Sequence, residues 1–385
     1  MSQKPKAIYH PKSPSKLKLN RIWSQCIKEL AQFRRDRLTV ALAFVLPIAT
    51  LLIFSFAIRL ESKSISLVVQ DFDLSPLSRT YIERLFATNQ FQPADWSGSD
   101  AARAVDRGIA KAAVIIPPDF SRRIKSGKTS PLQVLVDGTD VNNARVIANS
   151  IKATTNFFLR SVGLQSDPPR VDAQVRIWFN PGRKESLYIV PGVYAVILWI
   201  YPSLLAAIAM VREKEQGTII QVYASSLSAI ELLLGKGLAY FLIGLSEALA
   251  IMLLGLLLFG IWFAGDPIPL LMGTFIFLST SVLFGLLIGS RTSTQSAAVQ
   301  AVATVGFLTA LLLSGFIYPL SNIPFPLSLI TTIVPARYYI ELTRDGFIRG
   351  TGWAAIWFAP LVLAILSLLF LRVSSQLLAR MQLRE

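Results

Sequence analysis

Met210-Val211-Arg212-Glu213-Lys214-Glu215-Gln216-Gly217-Thr218 closes an uncharged run of 26 residues that begins at Ser186. The four alternating charges mark where an apolar helix of bilayer length meets water. Gly217 can stop a helix in a left-handed turn, and Thr218 can cap a following one. The expectation is a short, rigid corner at a membrane surface. Two readings of it stand at this level: a handle that carries force, and an ordinary charged loop between two spans.

The composition supports the membrane context. With 53% hydrophobic and 16% charged residues among 385, the chain is too apolar for a soluble domain and too interrupted for one buried core. One cysteine, Cys26, cannot form an intramolecular disulfide, and one histidine, His10, leaves no His/Cys cluster for zinc. The net charge of +15 points to anionic phospholipid rather than nucleic acid, because ten Lys or Arg against two acids precede residue 38, beside the first hydrophobic run.

Residues 1–16, rich in Pro, Lys and Ser, read as a disordered cytosolic tail. Over 17–37 the apolar residues Ile22, Trp23, Cys26, Ile27 and Leu30 recur at helical spacing between basic ones, predicting an interfacial amphipathic helix. Leu38 to Ile58 has 21 uncharged residues, enough for a first span, with Pro47 inside it. Residues 59–185 contain no span and read as an α/β insertion. Strands are expected at Ser64–Gln70, Ala112–Ile116, Leu132–Val136 and Val171–Phe179, and helices at Pro76–Phe86, Asp100–Gly108, after Pro117-Pro118-Asp119-Phe120, and at Val141–Leu159.

A bundle of five further spans is expected over 186–372, with a cytosolic loop at 212–236 closed by Lys236. The third span, Gly237 to Ala264, holds Glu247; the fourth, ending at Arg291, holds Gly285 and Gly289 at a spacing that permits close helix contact. From Thr292 to Ala336 there are 45 residues without charge, but Pro319, Pro324, Pro326 and Pro335 break the second half. A fifth span to about Phe316 is therefore followed by an outer re-entrant segment, 316–335. Gly350 to Leu371 is the sixth span, and 373–385 a cytosolic tail.

With both termini inside, the cytosolic segments hold 17 Lys or Arg and the short outer loops only Arg337, Arg344 and Arg349. The fold class is thus an α-helical polytopic membrane protein: six transmembrane helices, an inserted α/β extracytoplasmic domain and an N-terminal interfacial helix.

Catalytic chemistry is not indicated. Gly127-Lys128-Thr129 imitates the end of a phosphate-binding loop, but Arg122 stands in place of its first Gly and Pro131 where the helix should run. No nucleophile and base pair, zinc helix or dinucleotide loop appears, so no residue is assigned to catalysis or to a metal. Glu247, the ionisable residue deep in a span, has two open readings: a substrate-contacting or gating group in the translocation path, and a hydrogen-bonded or protonated helix contact.

The order of these features resembles the permease subunits of ABC type-2 exporters with a large external domain after the first span. The likeness rests on the basic amphipathic helix, the insertion with Pro117-Pro118-Asp119-Phe120 and Asp137-Gly138-Thr139-Asp140, and the corner Glu213 to Thr218. It continues through Leu313-Ser314-Gly315-Phe316-Ile317-Tyr318-Pro319-Leu320 and Pro335-Ala336-Arg337-Tyr338-Tyr339-Ile340-Glu341 with Arg344. Ile220 and Ser226 depart from the family pattern, which often has an acid and a Pro there.

The resemblance implies an ATP-driven exporter of an amphipathic, drug-like or lipid-like substrate, working by alternating access in a bacterial cytoplasmic membrane. Arg212, Glu213, Lys214, Glu215, Gln216, Gly217 and Thr218 would begin the coupling helix against a cytosolic ATPase dimer, and Ile22, Trp23, Ile27 and Leu30 would belong to the connecting helix. Phe316, Tyr318, Pro319 and Pro335 would form an outer gate. A second permease copy is expected, with a homodimer ahead of a heterodimer, together with membrane lipid and, as an open point, a periplasmic adaptor. ATP and Mg would be used by the ATPase and no cofactor bound by this chain. Two other classes stand as alternatives: an envelope receptor or docking protein that uses the external domain, and a gradient-driven carrier or channel.

Overall fold

The computed structural model describes residues 18–57, 64–98, 100–138, 141–163, 179–180, 184–218 and 227–382. The chain divides into two compact units, Arg59–Arg176 and the remainder. In the larger unit, α1 (Leu19–Arg35) is followed by α2 (Arg37–Ala57). The smaller unit then supplies β1 (Ile65–Asp71), α3 (Pro76–Ala87), β2 (Phe91–Pro93), α4 (Ala101–Asp106), β3 (Ala112–Ile116), α5 (Phe120–Lys125), β4 (Gln133–Val136) and α6 (Val141–Ser161). The larger unit resumes with α7 (Glu185–Glu215), α8 (Ala229–Phe259), α9 (Ile268–Arg291), α10 (Gln295–Leu312), α11 (Pro335–Arg344) and α12 (Phe358–Gln382).

In the smaller unit the strand order is β2-β1-β3-β4. β1 runs parallel to β2 and β3, so helices must cross between them, while β4 returns antiparallel beside β3. Alternation in Ile65 and Leu67 and the continuous apolar run Ala112–Ile116 bury side chains against Tyr81, Leu85, Phe120 and Phe158. Ser75 caps α3 in a capping box with Ser78, and Asp100 caps α4. β2, three residues with a Pro, was beyond the reach of a periodicity argument. The expected strand Val171–Phe179 lies almost wholly outside the described residues, as does the tail 1–16.

Among the described residues, six helices of the larger unit, α2, α7, α8, α9, α10 and α12, are long and apolar enough to cross a membrane. α7 is the central one: most of its residues are buried, whereas most of those of α12 are not. It is approached closely by α9, because a Cβ at Gly285 would sit 2.1 Å from Ser203 O and one at Gly289 2.7 Å from Ala207 O. The glycine pair is therefore where the two backbones meet.

The loop after α7 and both ends of the last helix differ from the sequence expectation. α7 continues through the charges to Glu215 and α8 begins at Ala229, so the loop expected over 212–236 is shorter at both ends. Ser228 and Glu231 form the capping box that starts α8 two turns before Lys236. The last helix starts at Phe358, eight residues after Gly350, because the left-handed Gly350 and Gly352 form a turn there, and it runs on to Gln382 beyond the expected end near Leu371.

Candidate functional site: the charged corner at the end of α7

The first three charges of the corner reach into different parts of the bundle. Arg212 Nη2 donates to Asp36 Oδ2 at 2.8 Å and to Thr39 Oγ1 at 3.2 Å. Asp36 is the hinge between α1 and α2 and accepts from the N–H and hydroxyl of Thr39. The Thr39 hydroxyl, and then the Thr39 N–H and Arg212, hold the Asp36 carboxyl below its usual value against the opposing effect of burial. Glu213, 5% exposed, takes Lys28 of α1 at 2.7 Å and Lys236 of α8 at 3.2 Å on its Oε1. Lys214 Nζ donates to the carbonyls of Gly289 (2.7 Å), Ser290 (2.6 Å) and Thr292 (3.1 Å), where the carbonyls at the end of α9 lack helical partners.

Glu215 completes the pattern from the other side. Its Oε1 accepts the N–H of Gln295 at 2.7 Å and its Oε2 the Gln295 side-chain amide, so a carboxylate sits at the start of α10. Gly217 then ends the segment with φ +67°, and Thr218 Oγ1 donates back to Glu213 O at 3.3 Å instead of capping forward. One helical turn thus holds the α1–α2 hinge, α8, α9 and α10 together. Residues 219–226, with Ile220 and Ser226, lie outside the described residues.

Beneath the corner two acids and two bases converge, with Glu29, Glu213 and Lys236 buried and Lys28 exposed at the edge. Lys236, fully buried, donates to Glu29 Oε1 at 2.7 Å and to Ala209 O at 3.3 Å, while Gln25 donates to the same Glu29 oxygen at 2.9 Å. The four charges sum to zero, and the three buried ones are each paired; removing a buried one would leave another uncompensated. Glu29, Lys236, Lys28 and Asp36 were not singled out from sequence as members of a site. The signal available was an acid one helical turn from Gln25 on α1 and a lysine inside an apolar run, which sequence reading used only as a boundary.

α1 turns its Glu29 face toward this cluster and carries the opposite character on the other. Gln25, Cys26 and Glu29 are buried, whereas Leu19, Trp23 and Ile27, spaced four apart, are exposed; Ile22 and Leu30 are half-buried. At the other end of α7, the Tyr188 hydroxyl donates to Phe316 O at 3.0 Å and Arg344 Nη2 to Gly315 O at 3.1 Å, the guanidinium lying 4.4 Å from the Tyr188 ring. Phe316 is 2% exposed, with its ring against Gly192 and Phe54; Tyr318 is exposed, Pro319 precedes a short 3-10 turn, and Pro335 opens α11.

Two comparisons bear on what this bundle is. The profile of the family described as "ABC-2 family transporter protein" matches residues 37–375, from the start of α2 into α12. The chain belongs to that family. The permease is also 27% identical over 372 residues to "Probable multidrug ABC transporter permease YbhS" of Escherichia coli (strain K12), covering 93% of this chain and 94% of that one. It is 28% identical to YbhR of the same strain, also named a probable multidrug ABC transporter permease (88% and 92% covered), and 26% identical to its "Inner membrane transport permease YhhJ" (88% and 91%). The chain is accordingly a permease subunit of an ABC transporter, a membrane protein that works with a partner ATPase and is not itself the ATPase.

Within the permease, Glu247 stands apart from the corner. It lies midway along α8, 1% exposed, and neither carboxyl oxygen has a hydrogen-bond partner among the described residues. The corner residues divide by exposure: Glu213 is buried and internally paired, while Glu215, Gln216 and Gly217 face outward. No group of His, Cys, Asp and Glu that could hold a metal ion occurs among the described residues.

Proposed function

We propose that two copies of this permease sit over two cytosolic ATPases and move an amphipathic, drug-like or lipid-like substrate out of the cytoplasm or the inner leaflet by alternating access. The observation that carries the reading is that the turn Arg212–Glu215 is bonded to the α1–α2 hinge, α8, α9 and α10. Displacing that turn loads four other parts of the bundle at once. ATP-driven closure of an ATPase pair needs such a lever, since it can only bias two states through contacts that differ between them.

In this reading the corner and both termini are cytosolic and residues 59–185 lie outside, in a bacterial cytoplasmic membrane. Gln216 and Gly217, exposed beyond the internally paired charges, meet the ATPase, which uses ATP and Mg. Leu19, Trp23 and Ile27 lie against lipid. Phe316, fixed to α7 through Tyr188 and Gly192, closes the path outward with Tyr318, Pro319 and Pro335, and Glu247 contacts substrate when the path opens. The word multidrug in the names of two relatives supports the substrate class.

The test is reconstitution with the partner ATPase. Gln216→Trp is expected to lower transport-coupled hydrolysis about tenfold, as loss of a central interface contact does, with the permease melting temperature unchanged. Unchanged hydrolysis with the complex intact would remove the coupling assignment.

A further inference from the structure

α11 carries its charges on one face. Arg337, Glu341 and Arg344 recur at i, i+4 and i+7 and are half-buried, while Ala336, Tyr339, Ile340, Leu342 and Thr343 are buried on the side packed into the bundle. Tyr339 fixes that side by stacking on Phe277, with 4.1 Å between ring centroids. The helix leads directly into a π-helical turn, Asp345–Arg349, which adds a third cation, the exposed Arg349.

These cations have neutral partners. Arg337 Nη1 donates to Thr331 Oγ1 at 2.9 Å, and Arg344 Nη2 donates to Gly315 O at 3.1 Å with its guanidinium over the Tyr188 ring. Among the described residues no acid forms an ion pair with Arg337, Arg344 or Arg349. Two acids lie in the same stretch, and neither neutralises the patch. Asp345, 2% exposed, is spent on the following turn, accepting from the Thr351 N–H at 3.2 Å, the Thr351 hydroxyl and the Gly352 N–H at 3.0 Å. Burial raises the Glu341 carboxyl above its usual range and outweighs Arg337, Arg349 and Arg344, whose charges pull it down. Burial lowers the Arg344 guanidinium, and the like charge of Arg349 lowers it further.

Three cations against a single raised acid leave this surface short of negative charge. A half-buried guanidinium without a counter-ion is costly, and an anion that supplies one removes the cost. Guanidinium forks match phosphate in particular, with two parallel hydrogen bonds each. The rim is apolar: Ile330 and Ile333 are 42% and 63% exposed on the turn that Arg337 and Tyr338 fasten, the Tyr338 hydroxyl donating to Thr332 O at 2.6 Å.

We propose that Arg337, Arg344 and Arg349 bind the phosphate of an anionic phospholipid, with an acyl chain against Ile330 and Ile333. The apolar rim favours a lipid over free phosphate, and the surplus of cations favours an anionic head group over a neutral one. A bound phosphate raises Glu341 further, so that this acid meets the anion as a protonated donor and not as a like charge. The assignment rests on the charges of this patch and is independent of the transport reading.

The full-length permease in dodecyl maltoside and phosphate-free buffer would be irradiated with a phosphatidylglycerol carrying a diazirine on one acyl chain, and the labelled peptides mapped. Labelling is expected within 327–340, competed by unlabelled phosphatidylglycerol and not by inorganic phosphate. Arg349→Glu, on an exposed side chain, should lower it about fivefold. Adding Arg344→Gln should bring the loss to at least about tenfold, and Arg349→Glu alone carries the test where the double variant fails to fold. Arg34→Gln with Arg35→Gln on α1 should leave this labelling unchanged. Equal labelling of 327–340 by a diazirine-bearing diacylglycerol, competition by inorganic phosphate as strong as by the lipid, or labelling indifferent to Arg349→Glu in protein of unchanged melting temperature would overturn the assignment.

Discussion

Glu213 and Glu247 are both carboxylates in long apolar helices and both are almost fully buried, at 5% and 1% exposure. Around Glu213, at the end of α7, two ammonium groups converge; around Glu247, inside α8, the described residues provide no hydrogen-bond partner at all. A buried charge is tolerated where it is paired and is costly where it is not. The first region is therefore built to hold its shape. The second keeps a polar group whose use lies outside the packing of this state.

The strongest way to break that contrast is Lys236→Ala. It leaves Glu29 and Glu213 short of a buried partner and is expected to cost about 3–5 kcal/mol, seen as a large drop in melting temperature in detergent or nanodiscs. The paired change Glu29→Met with Lys236→Met, which keeps Lys28 on Glu213, should recover most of that loss. Gly285→Leu tests the other fastening of α7: with Ser203 O already 2.1 Å from a hypothetical Cβ, overpacking should cost about 1–3 kcal/mol. Lys214→Ala frees three carbonyls at the end of α9 and should cost about 1 kcal/mol in the same assay.

Smaller still is the expected stability effect of Glu247→Gln, within about 1 kcal/mol, because no bond among the described residues is lost. Transport should nevertheless collapse while assembly persists; full transport would make Glu247 a passive helix contact. The pH dependence sharpens the corner further. Asp36 has its carboxyl pKa lowered in the fold, so its contribution is complete above the ordinary aspartate value of 3.8 and is lost as pH falls through that value toward the folded one. The melting-temperature gap between the native chain and Asp36→Asn should therefore shrink on acidification toward pH 3.

The bundle was legible because its signal is local: charge-free runs of bilayer length, and Gly285 four residues before Gly289. The corner was legible as a place but not as a mechanism. Its charges looked like an outward surface for a partner, whereas Glu213 is turned in to Lys28 and Lys236, and Lys214 to the end of α9. The partner of Lys236, Glu29, is 207 positions away, and no periodicity links residues at that distance. Lys236 consequently read as the end of a loop, when a capping box at Ser228 and Glu231 had already started the helix. In the smaller unit the strands with apolar alternation or continuous apolar runs were readable, and β2, three residues ending in a Pro, was not.

The central claim is that the corner faces the cytosol and takes its load from the ATPase. Cys26, the one cysteine, is fully buried, so a Gln216→Cys thiol can be read against a silent background. With a membrane-impermeant maleimide, the account predicts labelling in inside-out vesicles but not in right-side-out ones, and protection when the partner ATPase is bound. Labelling from the outer face, or equal labelling with and without the bound ATPase, would contradict it.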